Sequence, residues 1–113
     1  MSANTPDVTA HNFKTEVFES ELPVVLDLWA PWCQPCRMLS PLLEKMAEQF
    51  RGRVKVMKLN VDEEQGLASS FGVQGIPTLL FVKDGRINRR HVGLPTPSAL
   101  KRLFLELATP QAA

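Results

Sequence analysis

Residues 25–36 read Val-Leu-Asp-Leu-Trp-Ala-Pro-Trp-Cys-Gln-Pro-Cys, and this stretch decides the fold. Its first part is almost entirely apolar, which predicts a strand over residues 23–29 that is buried on both faces. Its last part opens a predicted helix over residues 33–50, where apolar side chains recur at helical spacing: Leu39, Leu43, Met46 and Phe50. A buried strand therefore leads through a short turn into a long helix, and two cysteines lie at the junction.

The rest of the chain continues to alternate between strand and helix patterns. Further strands are predicted over residues 54–61, 78–83 and 86–92, short helical turns within residues 62–71, and a last helix from Pro97 to about residue 107. Asn12 is predicted to cap a short helix that extends to about residue 20. The dipeptide Asp84-Gly85 suits the positive φ angles of a two-residue hairpin turn. This order predicts an α/β fold with a central mixed β-sheet flanked by helices on both faces.

Length and composition exclude several classes of protein. The 113 residues suit a single domain, which we expect to span residues 1–113, with an ordered core over about residues 8–107 and short tails. A net charge of +1 excludes strong non-specific attraction to nucleic acid or to an anionic membrane. No apolar run approaches the roughly 18 residues of a membrane span. Residues 1–8 lack the pattern of a secretory signal, so we expect a cytoplasmic protein.

The chain contains two cysteines, Cys33 and Cys36. Two cysteines do not build a disulfide framework, and a closed zinc site needs four ligands. His11 and His91 lie far from the pair in the sequence and show no ligand spacing, so no metal site is predicted. A metal bridging the pairs of two chains, and simple packing of two small apolar side chains, remain the alternatives to a redox role.

The position of the pair favours redox chemistry. Residues three apart on a helix lie close together, so only a small adjustment brings the two sulfurs within disulfide reach. Cys33 falls at the predicted helix start, where free backbone amides and the helix dipole lower a thiol's pKa and supply a thiolate nucleophile. Cys36 lies one turn further and is expected to stay protonated until needed. Pro35 in the first helical turn removes no intrahelical hydrogen bond.

The sequence resembles the thioredoxin family. Residues 25–36 resemble its active-site strand and turn, and three later segments resemble further landmarks in the same order: residues 58–62 (Lys-Leu-Asn-Val-Asp), 71–78 (Phe-Gly-Val-Gln-Gly-Ile-Pro-Thr) and 92–93 (Val-Gly). The resemblance covers about residues 8–107 and implies the thioredoxin fold. The chain departs from the family at Gln34, where thioredoxins typically carry Gly.

Two charged residues gain roles from this resemblance. Asp27 is the lone acid of its apolar strand, where burial should raise its pKa. The resemblance implies that Asp27 accepts a proton beneath the cysteines and helps to deprotonate Cys36. Lys58 matches a lysine that the family places near this acid, where it would moderate the pKa of Asp27. The alternatives are a structural Asp with local hydrogen bonds and a solvated Lys.

The resemblance also implies a substrate groove. Sequence alone favours a trans peptide bond before Pro77, whereas the family favours a cis bond that faces the cysteines. The backbone at Ile76 would then pair with an extended substrate chain, while Gly75 and Gly93 keep the surface low. Trp32, Ile76 and Leu94 would form an apolar rim, and Trp29 is assigned to the core. The predicted substrate-binding residues are Trp32, Gln34, Pro35, Gly75, Ile76, Pro77 and Gly93.

These features imply a thiol–disulfide oxidoreductase that reduces protein disulfides through a Cys33/Cys36 cycle. The chain itself would bind no cofactor, and the resemblance implies that a thioredoxin reductase restores its dithiol with NADPH. Expected partners are this reductase and disulfide-containing proteins, with the chain itself a monomer. One alternative is a disulfide oxidase or isomerase on the same fold, and another is a non-enzymatic subunit that holds a partner in the groove.

Two charged segments receive no catalytic role. Arg86, Arg89, Arg90 and His91 form a local basic patch, which we interpret as a charged edge strand that resists aggregation, with partner selection as the alternative. The acidic residues 62–64 are interpreted as a solvated loop.

Overall fold

The computed structural model describes residues 4–109. Four strands, three α-helices and one π-helical turn make up this part of the chain. In chain order they are the π-helical turn Lys14–Phe18, β1 (Val24–Trp29), α1 (Gln34–Gln49), β2 (Lys55–Asn60), α2 (Gln65–Ser70), β3 (Thr78–Lys83), β4 (Arg86–Val92) and α3 (Pro97–Ala108). No helix among the described residues is both long enough and apolar enough to span a membrane.

The sheet is mixed, as the sequence predicts. Its strands lie in the order β2-β1-β3-β4, with β1 parallel to β2 and antiparallel to β3, and β3 antiparallel to β4. In this register, Asp27 of β1 lies beside Lys58 of β2 and Leu79 of β3. The strand that carries Asp27 is therefore central, and its carboxyl end leads directly into the cysteine turn.

Alternating side chains of the central strands pack against helices on both faces of the sheet. On one face, Val25 and Phe81 pack with α1 and α3, where Phe104 meets Phe81 edge-on. On the other face, Leu26 and Leu80 pack with residues of the π-helical turn and α2. Burying each such side chain is worth about 1.5–3 kcal/mol, so the two layers fix the sheet that positions the cysteine turn.

The hairpin turn and the exposed edge strand agree with the sequence. Asp84 and Gly85 both adopt positive φ, at 53° and 76°, as a two-residue hairpin turn requires. A Cβ at Gly85 would approach the carbonyl oxygen of Phe18 to 3.1 Å, so the turn also lies close to neighbouring backbone. Within residues 4–109, β4 pairs only with β3, which makes its arginine-rich sequence the edge of the sheet.

The N-terminal part differs from the sequence expectation. The Asn12 side chain does not cap a helix but turns back, and its Oδ1 accepts a hydrogen bond from the Thr9 amide at 2.8 Å. The backbone of Lys58 donates to the Pro6 carbonyl oxygen and accepts from the Val8 amide, at 2.9 and 2.7 Å. Thr5, which lies in the predicted N-terminal tail, is buried and donates to the Glu44 carboxylate at 2.8 Å. Residues 4–8 therefore run alongside β2.

Candidate active site

The turn between β1 and α1 places Cys33 at the start of the helix. Its backbone amide donates to the carbonyl oxygen of Ala30 at 3.1 Å, closing the turn that follows β1. Cys33 is the N-cap of α1, and its sulfur accepts a hydrogen bond from the Cys36 amide at 3.2 Å. Gln34 and Pro35 follow as the first helical residues, so the proline lies where no intrahelical hydrogen bond is lost.

The two cysteines are joined by a disulfide. Their Cα atoms lie 5.2 Å apart, within the ordinary range for such a bond, and both side chains are buried. The helix N-terminus directs backbone amides toward the Cys33 sulfur, which favours a negative charge there once the bond is reduced. This geometry suits a pair that is opened and closed by thiol–disulfide exchange.

Asp27 lies inside the protein, on the strand that leads to the cysteines. Its side chain is fully buried, and neither carboxyl oxygen has a hydrogen-bond partner among residues 4–109. Burial raises the pKa of Asp27 to about 7, and the charge of Lys58 opposes this rise. The carboxyl group therefore changes its protonation state near neutral pH, where a thiol must gain or lose a proton during the redox cycle.

Lys58 reaches into the same region from β2. Its ammonium nitrogen lies 3.3 Å from the Ser40 hydroxyl oxygen and 4.4 Å from the centre of the Trp29 ring. Trp29, which is half-buried, in turn packs against the two cysteines and Ala30. The Lys58 ammonium is therefore held near the cysteines by Ser40 of α1 and Trp29 of β1.

A loop before β3 faces the cysteines. The peptide bond between Ile76 and Pro77 is cis, and the carbonyl oxygen of Ile76 lies 3.8 Å from the Cys33 sulfur. The Gly93 amide donates to the Pro77 carbonyl oxygen at 2.8 Å, which ties this loop to the segment after β4. The structure thus places Ile76 beside the disulfide and ties Gly93 to the adjoining Pro77.

The backbone requires glycine at one of the two predicted groove positions but not at the other. Gly93 has φ of 96°, a conformation that side-chain-bearing residues rarely adopt. A Cβ at Gly75 would meet only a side-chain methyl of Val92, at an ordinary 3.6 Å. A requirement for glycine is therefore evident at position 93 but not at position 75.

The rim of the site is apolar and includes Asp62, an exposed acid that was predicted to belong to a solvated loop without a role at the site. Trp32 is 67% exposed, and its indole nitrogen donates to the Asp62 carboxylate at 2.9 Å. A shallow groove of about 370 Å³ runs from Trp32 to Ile76 and is lined by residues of α2 and the loop after it. Val92 and Leu94 are also exposed beside Gly93. Asp62 follows β2 as Trp32 follows β1, and neighbouring parallel strands end at the same edge of a sheet. The positions of the two residues in the sequence could therefore have predicted this contact.

The basic patch lies elsewhere and is engaged within the fold. Arg89 forms an ion pair with Glu106 of α3 at 2.6 Å, and Arg90 donates to the Phe71 carbonyl oxygen at 2.6 Å. Exposed ion pairs of this kind contribute little to stability. Across residues 4–109, His, Cys, Asp and Glu side chains form no group of three or more with the arrangement of a metal site.

Comparison with known proteins identifies the family. The family model described as "Thioredoxin" matches residues 4–106. A thioredoxin of Synechocystis sp. is 51% identical over 86 residues, which cover 76% of this chain and 79% of that protein. Thioredoxins of Rickettsia felis and Pseudomonas aeruginosa are each 42% identical, over 83% and 88% of this chain and 90% and 93% of their own lengths.

These matches favour a disulfide reductase over an oxidase or isomerase and over a non-enzymatic subunit. They agree with the mixed sheet, and with the disulfide between Cys33 and Cys36 at the start of α1. The redox chemistry therefore resides in the side chains of the chain itself. The chain belongs to the thioredoxin family, and it is a thiol–disulfide oxidoreductase that reduces protein disulfides.

Proposed function

We propose that Cys33 is the nucleophile of the reaction. The Cys33 thiolate attacks one sulfur of a substrate disulfide, the substrate S–S bond breaks, and the departing sulfur leaves as a thiolate that takes up a proton. The product is a mixed disulfide between Cys33 and the substrate. The observation that carries this proposal is the pairing of Cys33 and Cys36 at the helix N-terminus, where backbone amides favour the attacking thiolate.

Cys36 then resolves the mixed disulfide. Its thiol gives up a proton, and the resulting thiolate attacks the Cys33 sulfur, which releases the second substrate thiolate and leaves Cys33–Cys36 oxidised. We propose that Asp27 accepts this proton. Its raised pKa, about 7, supports the role, because a base of that strength accepts a proton readily at neutral pH. Lys58 moderates the basicity of Asp27 by favouring the charged carboxylate.

Substrate binds across the surface between the disulfide and the Ile76–Pro77 loop. An extended substrate segment pairs with the backbone of Ile76, whose carbonyl oxygen already faces the Cys33 sulfur at 3.8 Å. Trp32 supplies a large exposed apolar surface beside it. The full set of proposed substrate-binding residues is Trp32, Gln34, Pro35, Gly75, Ile76, Pro77 and Gly93.

The oxidised protein is restored by a thioredoxin reductase that uses NADPH. The reductase transfers two electrons, and with two protons these convert the Cys33–Cys36 disulfide back to two thiols. Such a cycle suits the cytoplasm, where thiols are kept reduced. We place the protein there as a monomer, and as a single domain over residues 1–113, in line with the family match over residues 4–106.

Two serine substitutions test the order of the steps. Cys33→Ser should abolish turnover of an insulin disulfide, because serine is not a comparable nucleophile at neutral pH. Cys36→Ser keeps the nucleophile and should accumulate a covalent adduct with the substrate, detected by mass spectrometry and released by dithiothreitol. The two variants are matched controls, since each removes one sulfur from the same turn. Turnover by Cys33→Ser at the parent rate, or an adduct on Cys36 in that variant, would refute the assigned roles.

A further inference from the structure

Ser40 of α1 contacts the lysine that acts on the proposed proton acceptor, Asp27. It follows Cys36 by one helical turn, so the two residues lie on the same side of α1. Its side chain is half-buried, and its hydroxyl oxygen accepts a hydrogen bond from the Lys58 ammonium at 3.3 Å. The hydroxyl group therefore connects the helix that carries the cysteines to the lysine of β2.

The Lys58 ammonium is held from two directions. Besides the Ser40 hydroxyl, it contacts the face of the Trp29 ring at 4.4 Å, a favourable cation–π distance. No carboxylate among residues 4–109 forms an ion pair with Lys58. The position of this charge thus depends on a hydroxyl group and an aromatic ring rather than on a salt bridge.

The protonation of Asp27 depends on the position of the Lys58 charge. It is the direct β1 neighbour of Lys58 in the sheet register, and no hydrogen bond from residues 4–109 reaches its carboxyl group. The lysine therefore acts on Asp27 through space, and a Coulomb interaction weakens as the two charges separate. A change in the position of the ammonium alters the balance between the neutral and the charged carboxyl group.

The other charged groups on the neighbouring parts of α1, β2 and β3 are directed away from Asp27. The Arg37 guanidinium of α1 donates to the Pro31 carbonyl oxygen, and the remaining charged residues of α1 lie beyond Ser40 toward the far end of the helix. Lys55 of β2 donates to the Glu16 carbonyl oxygen, and β3 places an apolar leucine opposite Asp27. The two cysteines do not titrate while they are joined.

We propose that Ser40 is a positioning residue whose hydroxyl group holds the Lys58 ammonium beside Asp27. Without it, the ammonium loses its hydrogen-bond acceptor on α1 and moves outward to water, which weakens its field at the carboxyl group. Helix propensity does not explain the serine, because alanine is the better helix former at a mid-helix position. The inference rests on the proposed role of Asp27, and it adds a residue that governs that role from a distance.

The test uses the oxidised protein, in which Asp27 titrates without interference from the thiols. The pKa of Asp27 is measured by NMR from its ¹³C-labelled carboxyl carbon in the parent, Ser40→Ala, Ser40→Thr, Lys58→Met and Ser40→Ala/Lys58→Met proteins. Ser40→Ala should raise the pKa of Asp27 by about half a unit or more, because a favourable opposite charge has moved away. Ser40→Thr retains the hydroxyl group and should match the parent.

The double variant separates positioning from a merely structural effect. Ser40→Ala should raise the pKa in the parent background and leave it unchanged in the Lys58→Met background, because no charge is left to position. Equal shifts in both backgrounds, no shift in Ser40→Ala, or no shift in Lys58→Met would each overturn the proposal. These outcomes are independent of disulfide turnover, so failure here is distinguishable from failure of the Cys33/Cys36 mechanism.

Discussion

Replacing Asp27 by asparagine should remove a pH-dependent loss of stability. The carboxyl group has a pKa of about 7 in the folded chain, against 3.8 as its ordinary value, because burial disfavours the charged form. Below pH 3.8 the group is protonated in both states, and its contribution to stability is fully present. As the pH rises toward 7 the unfolded chain releases the proton first, so the free energy of unfolding falls.

The size of this loss follows from the difference in pKa. A difference of about three pH units corresponds to about 4 kcal/mol, reached once the pH exceeds about 7. That is a large share of the 5–15 kcal/mol that typically stabilises a domain. The Asp27→Asn variant retains the shape and a buried polar group but does not titrate. Any pH-independent effect of the substitution on the free energy of unfolding therefore cancels when only the pH dependence is compared.

Urea unfolding of the oxidised parent and of Asp27→Asn, at intervals from pH 4 to pH 9, measures this effect. The free energy of unfolding of the parent should fall relative to the variant by about 4 kcal/mol across that range, with most of the change between pH 4 and 7. A difference that stays constant with pH would show that Asp27 has an ordinary pKa in the folded chain. A difference of opposite sign would mean that a buried partner stabilises the carboxylate.

Two further substitutions test the backbone and the cysteine turn. Gly93→Ala should lower the free energy of unfolding in urea by about 1–3 kcal/mol, because position 93 has φ of 96°. Gly75→Ala is the matched control. Its Cβ makes an ordinary contact, so it should lower the free energy of unfolding clearly less. Gln34→Gly should lower stability by about 0.5–1 kcal/mol through the loss of helix propensity at the start of α1. Its redox potential, measured against glutathione, should shift by less than about 30 mV, and a much larger shift would show that Gln34 acts on the disulfide by another route.

Local sequence patterns predicted the strands and the hairpin correctly. β3 and β4 have the predicted bounds, and both residues of the turn between them have positive φ. These features depend on neighbouring residues, through the alternation of a strand and the steric freedom of Asp84 and Gly85. The start of α1 was predictable for the same reason, because the N-cap and the proline lie within a few residues of each other.

Features that depend on distant partners were not predictable from local patterns. Asn12 is a good helix cap by residue type, yet its side chain bonds backward to Thr9. Thr5 lies in the predicted N-terminal tail, but its hydroxyl group donates to the Glu44 carboxylate, 39 residues away. In each case a tertiary or alternative local hydrogen bond outweighs the preference of the residue type.

The site shows the same division. The cysteine pair was evident from spacing, and burial of Asp27 was evident from the apolar strand around it. The contact of Trp32 with Asp62 follows from two strand ends once β1 and β2 are paired in parallel, whereas the contact of Lys58 with Ser40 joins β2 to α1 and has no local signal. The reacting groups were therefore easier to predict from the sequence than the groups that position them.

The place of β1 at the centre of the sheet has a consequence for how the protein tolerates fluctuation. β1 is hydrogen-bonded to a neighbour on each side, and its first five side chains are fully buried. Segments held by fewer contacts, such as the short α2 or the outer strand β4, open at a lower free energy than such a strand does. Local opening of these peripheral segments does not require the junction of β1 with α1 to open, so we expect the Cys33–Cys36 pair to stay in place when they detach.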